Sequence, residues 1–154
     1  MVLLSLSLSL SLLQYCITSW GGAYQNTITR LERAQNILLR VILNKPRLFH
    51  SDDLYKILDV PNLVDVYMYK ISLYACKYSN DWTRIHTVTR QTGQIRIERV
   101  NKSIYKRHFQ YLGKKLYNIL PEEIKHEENI VRLKNLVKIW LREKHHSQFL
   151  IENL

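Results

Sequence analysis

Two adjacent carboxylates, Asp52 and Asp53, are the first residues in this sequence whose types and spacing could do chemistry. Metal-dependent phosphoryl transfer needs carboxylates held close together around divalent ions. Here the pair follows Ser51 at a predicted helix start, where a capping residue and two first-turn acids complement the helix dipole. Capping therefore accounts for the pair, and no catalytic role is predicted for it.

The histidines and cysteines are scattered rather than clustered. The histidines are His50, His86, His108, His126, His145 and His146. Adjacent helical residues such as His145 and His146 point about 100° apart and chelate poorly. No CxxC and no Cys/His pair at zinc spacing occurs, so we expect no metal ligand and read Cys16 and Cys76 as buried free thiols. Familiar catalytic and nucleotide-binding motifs are also missing, so neither a catalytic residue nor a cofactor is predicted.

Positive charge is the strongest chemical feature of the sequence. The formal net charge is +10 over 154 residues, with a pI near 9.7. Nine basic residues fall within positions 84–115, against the single acid Glu98. They are Arg84, Arg90, Arg96, Arg99, Lys102, Lys106, Arg107, Lys114 and Lys115. Lysine and arginine neutralise phosphates, so this window is the candidate contact with RNA or DNA, although a basic helix face is also often merely solvated.

Aromatic residues interleave with these cations at Tyr105, His108, Phe109 and Tyr111. Such rings can stack on unpaired bases. Tyr105 and Phe109 also share a helical apolar stripe with Leu112 and Leu116, which favours a core role for both rings.

Helical periodicity positions most of these residues. It predicts helices over 24–44 (capped by Asn26 or Thr27), from Ser51 to residue 58, over 62–78, over 104–118 and from a cap at Asn129 onward. Between them, 85–89 and 95–100 are rich in β-branched residues and flank a loop containing Gly93, so a basic hairpin and a basic loop are equally favoured there. The expected fold is mainly α, a small bundle of about five to six helices with that hairpin or loop near 84–100.

The N-terminus reads MVLLSLSLSLSLL, an apolar stretch of the length of a signal-peptide core. No Lys or Arg precedes it, and at about 13 residues it is shorter than the roughly 20 that a bilayer requires. Its Ser/Leu alternation has strand period. We therefore expect an intracellular protein, nuclear or cytoplasmic, rather than a secreted or membrane-associated one.

Several segments, in order, resemble the region after the polymerase core of jockey-like non-LTR retrotransposon reverse transcriptases. Residues 15–21 (YCITSWG) resemble the family's YGI-x-x-WG, and residues 31–42 its L-x-x-x-Q-x-x-x-x-R-x-I helix. Residues 50–55 are similar to HS-x-x-L(F/Y), residues 86–90 to H-x-x-TR and residues 117–121 to (W/Y)N-x-LP. The resemblance runs from about Leu13 to the end of the chain.

The departures from the family are informative. Cys16 stands where the family has glycine, the Ser/Leu run replaces a more varied helix, and the fingers, palm and endonuclease have no counterpart. The resemblance therefore implies a thumb-like segment over 1–78, a basic hairpin or loop over 79–103 and a C-terminal helical segment over 104–154, in one compact unit or two. It implies contact with RNA or DNA, no small-molecule substrate and no catalytic residue.

A second hypothesis is a helical module that docks on a protein partner through the tyrosine-rich helix, with Tyr67 and Tyr74 at the contact. In that case the positive charge serves only solubility. The core edge is the alternative reading of these tyrosines.

Overall fold

The computed structural model describes residues 11, 12, 14–85 and 93–143. In these residues the fold is mainly helical, as predicted, with eight α-helices and no strand. The helices are α1 (Ile17–Trp20), α2 (Gln25–Ile42), α3 (Ser51–Leu58), α4 (Leu63–Tyr78), α5 (Ser103–Lys106), α6 (Phe109–Ile119), α7 (Glu122–Lys125) and α8 (Ile130–Glu143). The chain divides into two compact units, Met1–Val66 and Tyr67–Leu154, and the division falls within α4.

The helices begin close to their predicted starts, but their caps differ in part. The N-cap of α2 is Tyr24, so the prediction of Asn26 or Thr27 was wrong. The cap of α8 is Asn129 as predicted, since its Oδ1 accepts the amide of Val131 at 2.9 Å. Asn62 caps α4 in the same way, accepting the amide of Asp65 at 2.7 Å. A side-chain oxygen at this position satisfies amides that have no partner inside the helix.

The first unit has a core where α2 meets α3. Leu39 and Leu54 are fully buried there. They are surrounded by the partly buried side chains of Ile42, Leu43, Phe49, Tyr55, Leu58 and Val60. Burial of such aliphatic side chains contributes about 1.5–3 kcal/mol each. Leu54, Tyr55 and Leu58 therefore hold α3 against α2, whereas Ile57 is 54% exposed.

Arg40 fastens the connection between α2 and α3. Its guanidinium donates to the carbonyl oxygen of Phe49 from Nε at 3.2 Å and from Nη2 at 2.9 Å. Nη2 also donates to Ser51 Oγ at 3.1 Å. The N-cap of α3 is His50, so Ser51 is the first helical residue rather than the cap that its sequence position suggested. Asp52 and Asp53 occupy the first turn of α3, as predicted.

A tight turn precedes α1. Cys16 is its N-cap and has φ 50° and ψ 28°, the left-handed region. The indole Nε1 of Trp20 donates to the carbonyl oxygen of Tyr15 at 2.8 Å and closes this turn. Cys16 is exposed, so the prediction of a buried thiol was wrong for this residue. Cys76 is half-buried, and burial raises the pKa of its thiol to about 11.

An aromatic cluster forms part of the core of the second unit. Tyr74 of α4 packs edge-on against Phe109 at 5.0 Å between ring centroids, and also contacts Tyr78 and Trp82. Gly113 lies beneath these rings, with space for a Cβ 3.4 Å from the Trp82 side chain. The ring of Tyr74 therefore lies at the core edge, which was the predicted alternative to a docking role.

None of the helices in the described residues is long and apolar enough to cross a membrane. The first ten residues of the Leu/Ser stretch lie outside the described part of the chain, as do His145 and His146.

Candidate nucleic-acid interface

A single antiparallel bridge opens the basic part of the second unit. It joins Arg84 to Ile95. The amide of Arg96 donates to the carbonyl oxygen of Thr83 at 2.8 Å, and the amide of Ile85 to that of Gln94 at 2.9 Å. Gly93 has φ 84°, a left-handed conformation that glycine adopts without strain. Of the predicted hairpin or loop, the described residues therefore contain the base of a hairpin and no strand, and residues 86–92 lie outside them.

Asn118 of α6 anchors the strand-like residue Ile95 on both sides of its backbone. Ile95 N donates to Asn118 Oδ1 at 2.8 Å, and Asn118 Nδ2 donates to the Ile95 carbonyl oxygen at 3.0 Å. The Ile95 side chain is 1% exposed. We call residues 93–102 the basic segment. It is tied to α6 at Ile95, and from Arg96 onward it runs without regular secondary structure.

The basic segment and α6 border one open concavity of about 700 Å³. Its lining contains three of the predicted cations, Arg96, Arg99 and Lys114. The other lining residues are Thr83, Ile97 and Glu98. Arg96 and Arg99 are exposed, and neither forms an ion pair with any residue in the described ranges. Their guanidinium groups are therefore accessible to an anionic ligand.

Glu98 is the one acid in this lining, and it pairs with Lys114. The Lys114 Nζ lies 3.2 Å from Glu98 Oε1. The lysine side chain is 22% exposed and the glutamate side chain 64% exposed. Lys114 is thus partly neutralised by the segment that it faces, and a phosphate would compete with Glu98 for it.

Arg84 is held by contacts within the protein. Its Nη1 donates to the carbonyl oxygen of Gly93 at 3.2 Å, and its guanidinium lies over the Tyr117 ring, 5.9 Å from the centroid. It also contributes, after the hydrogen bond from Lys125, to lowering the pKa of Glu122. This arginine closes the base of the hairpin.

The remaining predicted cations are divided. Lys102 and Lys106 are exposed at the two ends of α5, and Arg107 is half-buried. Lys115 Nζ lies over the ring of Tyr111, 5.5 Å from its centroid. Arg90 lies outside the described residues, together with His86 and Thr89. The structure therefore brings together Arg96, Arg99 and Lys114 from the predicted set.

The aromatic residues of this window also separate into two groups. Phe109 packs on Tyr74 and is half-buried, as its place on the apolar stripe predicted. Tyr105 is 50% exposed, so its predicted core role was wrong. The apolar stripe was predicted for one continuous helix, whereas α5 ends at Lys106 and α6 begins at Phe109. His108 lies between them and stacks on Tyr105, with centroids 6.1 Å apart and planes inclined by 24°.

The contact of Asn118 with Ile95 was not predicted from the sequence. The position of Asn118 indicated the end of a helix and a place in the (W/Y)N-x-LP-like segment. Its role at Ile95 depends on a contact between residues 23 positions apart, which no local pattern reports.

No protein-family model, no curated protein and no solved structure matches this chain. Within the described residues, no group of three or more His, Cys, Asp or Glu side chains is placed to hold a metal ion. The exposed cations of the concavity lie on a segment that Asn118 holds to α6, and such cations can bind phosphate groups.

Proposed function

We propose that this chain is a non-catalytic, post-palm segment of a jockey-like non-LTR retrotransposon reverse transcriptase, and that it contacts RNA or DNA through the basic segment and α6. The observation that carries the binding role is the concavity lined by Arg96, Arg99 and Lys114. Accessible guanidinium groups neutralise phosphates and release counterions, which is the main source of affinity for nucleic acid.

The motif residues of the resemblance support the proposed origin, because several of them make structural contacts with one another. Arg40 of the L-x-x-x-Q-x-x-x-x-R-x-I motif donates to Ser51 of the HS motif. Trp20 and Tyr15, both in the YGI-x-x-WG-like segment, are hydrogen-bonded. Such contacts give a physical reason for these residue types at these positions without any catalytic role.

Cys16 gives independent support from backbone geometry. The family has glycine at this position, and Cys16 adopts the left-handed conformation at φ 50°. Left-handed backbone costs roughly 1–2 kcal/mol for an ordinary residue and nothing comparable for glycine. A cysteine in a turn suited to glycine is the expected result of a substitution in an inherited turn.

The binding role is tested by the salt dependence of affinity for RNA and single-stranded DNA. We expect the logarithm of the association constant to fall linearly with the logarithm of salt concentration. The double variant Arg96→Gln/Arg99→Gln should reduce the slope on a single strand by about 1.4 units, roughly 0.7 for each lost phosphate contact. The matched control is Arg30→Gln/Arg33→Gln, which removes the same charge from exposed positions of α2. An equal loss in both variants, or salt-independent binding, would contradict the proposal.

The absence of catalysis and the origin have separate tests. With Mg²⁺ and a primed template, we expect no primer extension, and template-specific extension would overturn the non-catalytic assignment. Sequencing the gene upstream of the Met1 codon should find a palm-encoding region, in frame or displaced by a frameshift. An unrelated upstream sequence in every copy of the gene would remove the proposed origin and leave the binding role standing.

The two tyrosines that the protein-docking hypothesis placed at the contact pack within the protein, which favours the nucleic-acid proposal. The Tyr67 side chain is 4% exposed, and the Tyr74 ring packs among Tyr78, Trp82 and Phe109. The Tyr67 ring is therefore buried, and the Tyr74 ring is half-buried.

A further inference from the structure

The junction between α5 and α6 presents a stacked pair of aromatic rings at the surface. Tyr105 and His108 stack with planes 24° apart, and both residues are exposed. Tyr105 is 50% exposed.

The pair is held in place from the core side. The His108 ring lies 4.6 Å from that of Phe109, and Phe109 packs edge-on against Tyr74. Four rings therefore form a continuous series from the core to the surface, ending in Tyr105. The hydroxyl of Tyr67 donates to the carbonyl oxygen of Arg107 at 3.2 Å and fixes the backbone between the two exposed rings. The outer rings are thus preordered, which lowers the entropy cost of binding to them.

Basic residues flank this platform along the chain. Lys102 precedes α5 and Lys106 ends it, and both are exposed. Arg99 lies six positions before Tyr105 along a segment that can span at most roughly 20 Å. Cations and an exposed ring within this length of chain can bind the phosphates and one base of the same nucleic-acid strand, provided that the base is unpaired. In a duplex the base faces are covered by stacking, so the ring would have no partner.

We infer that the Tyr105–His108 pair is a stacking platform for an unpaired base, so that this surface selects single-stranded nucleic acid while Arg96, Arg99 and Lys102 hold the phosphates. This inference rests on the proposed function and adds to it the state of the ligand. Stacking of a base on an aromatic ring is worth about 1–3 kcal/mol, and every base offers such a face. The platform therefore adds strand selectivity without base selectivity.

The test compares two strands that differ only in their bases. The probes are an oligodeoxythymidylate of roughly twelve nucleotides, within the usual site size, and an abasic strand of equal length and charge. The full chain should bind the thymidylate strand at least tenfold more tightly at one salt concentration. Tyr105→Ala should remove most of this difference by weakening thymidylate binding, with the abasic strand unaffected.

Two further variants separate stacking from loss of structure. Tyr105→Phe keeps the ring and should bind both strands as the wild type does. Ile104→Ala shortens the neighbouring exposed side chain and should also leave both affinities unchanged. Equal wild-type affinity for the two strands, or an equal loss for both in Tyr105→Ala, would overturn the platform and leave the proposed function intact. Failure of the wild type to bind either strand at low salt would overturn both.

Discussion

The connection from α2 to α3 and the basic segment are both irregular and both rich in arginine and lysine, yet they use charge differently. In the first, Arg40 at the end of α2 is held by Phe49 and Ser51, and Lys45 Nζ lies 5.2 Å from the centroid of the Phe49 ring, which leaves Arg47 as its exposed arginine. In the second, Arg96 and Arg99 are exposed and form no ion pair within the described residues. Positive charge identifies a binding surface only where the protein has not already satisfied it.

The acids around the two regions sharpen this contrast. Asp52 and Asp53 begin α3, and Glu32 and Asp65 also influence the groups near Arg40. Burial raises the pKa of the Tyr55 hydroxyl to about 12, Glu32 adds to the rise and Arg40 opposes it. The concavity of the basic segment contains one acid, Glu98. The acids near Arg40 therefore weaken the attraction of the first region for a polyanion more than the single acid Glu98 does at the second.

The largest expected effect is on stability, from Arg40→Ala. The change removes the charged donor from the Phe49 carbonyl oxygen and from Ser51, and hydrogen bonds to charged groups contribute about 1.5–3 kcal/mol. We expect the free energy of unfolding to fall by about 2–3 kcal/mol, measured by urea unfolding followed by circular dichroism. Affinity for nucleic acid, measured under conditions where the variant is folded, should not change.

Arg33→Ala is the control for this variant, because it removes an exposed arginine from the same helix. It should change stability by no more than about 0.5 kcal/mol. Equal destabilisation by the two changes would mean that Arg40 contributes only its charge, and the contrast between the two regions would fail.

The next effect concerns the anchor of the basic segment. Asn118→Ala removes both hydrogen bonds to Ile95 and leaves two backbone groups of a buried residue without partners. Such a loss costs about 1–3 kcal/mol. We expect faster hydrogen exchange at the Ile95 amide and weaker binding of nucleic acid, since the segment is no longer preordered. Asn135→Ala, an exposed change on α8, should alter none of these measurements.

The sequence predicts those features of the fold that depend on residues close together in the chain, and misses those that depend on distant residues. The faces of α2, α4 and α8 follow from apolar periodicity, and the cap at Asn129 from the residue type at a helix start. Both signals are local. The hydrogen bonds of Arg40 to Phe49 and Ser51, and those of Asn118 to Ile95, join residues that are distant in the sequence. No local pattern connects such residues, so neither set of bonds was predicted.

For the candidate site, the sequence predicted only a window rich in basic residues and not which of them are exposed together. Nine cations in one window predicted the location of the site, but the window contains both Arg84, which is bonded within the protein, and Arg96 and Arg99, which are exposed. The predicted core role of Tyr105 was wrong for a related reason. Its spacing from Phe109 fits one helix, and the break at Arg107 and His108 turns its ring from the core to the surface.

A smaller effect is expected at the acid of the concavity. Glu98→Gln removes the partner of Lys114 and one negative charge from the lining. Affinity for nucleic acid should rise about threefold at low salt, and stability should change by less than about 0.5 kcal/mol because the pair is partly exposed. Glu123→Gln makes the same charge change at an exposed position of α7. A similar gain from Glu123→Gln would show that net charge, rather than this concavity, sets the affinity.

The smallest effect tests the acids near Arg40. Desolvation, followed by the charge of Asp65, raises the pKa of Glu32 above its usual value. The folded state therefore holds this proton more tightly than the unfolded state does, and ionisation of Glu32 opposes folding as the pH rises. Glu32→Gln should increase the free energy of unfolding at pH 7, by less than about 1 kcal/mol because solvent screens a partly exposed carboxylate. As the pH falls through the pKa of this carboxyl group, the wild type regains that stability and the difference should close. A difference that is equal at pH 7 and at pH 4 would exclude ionisation as its cause, and the acidic surroundings of Arg40 would then have no measurable part in the contrast.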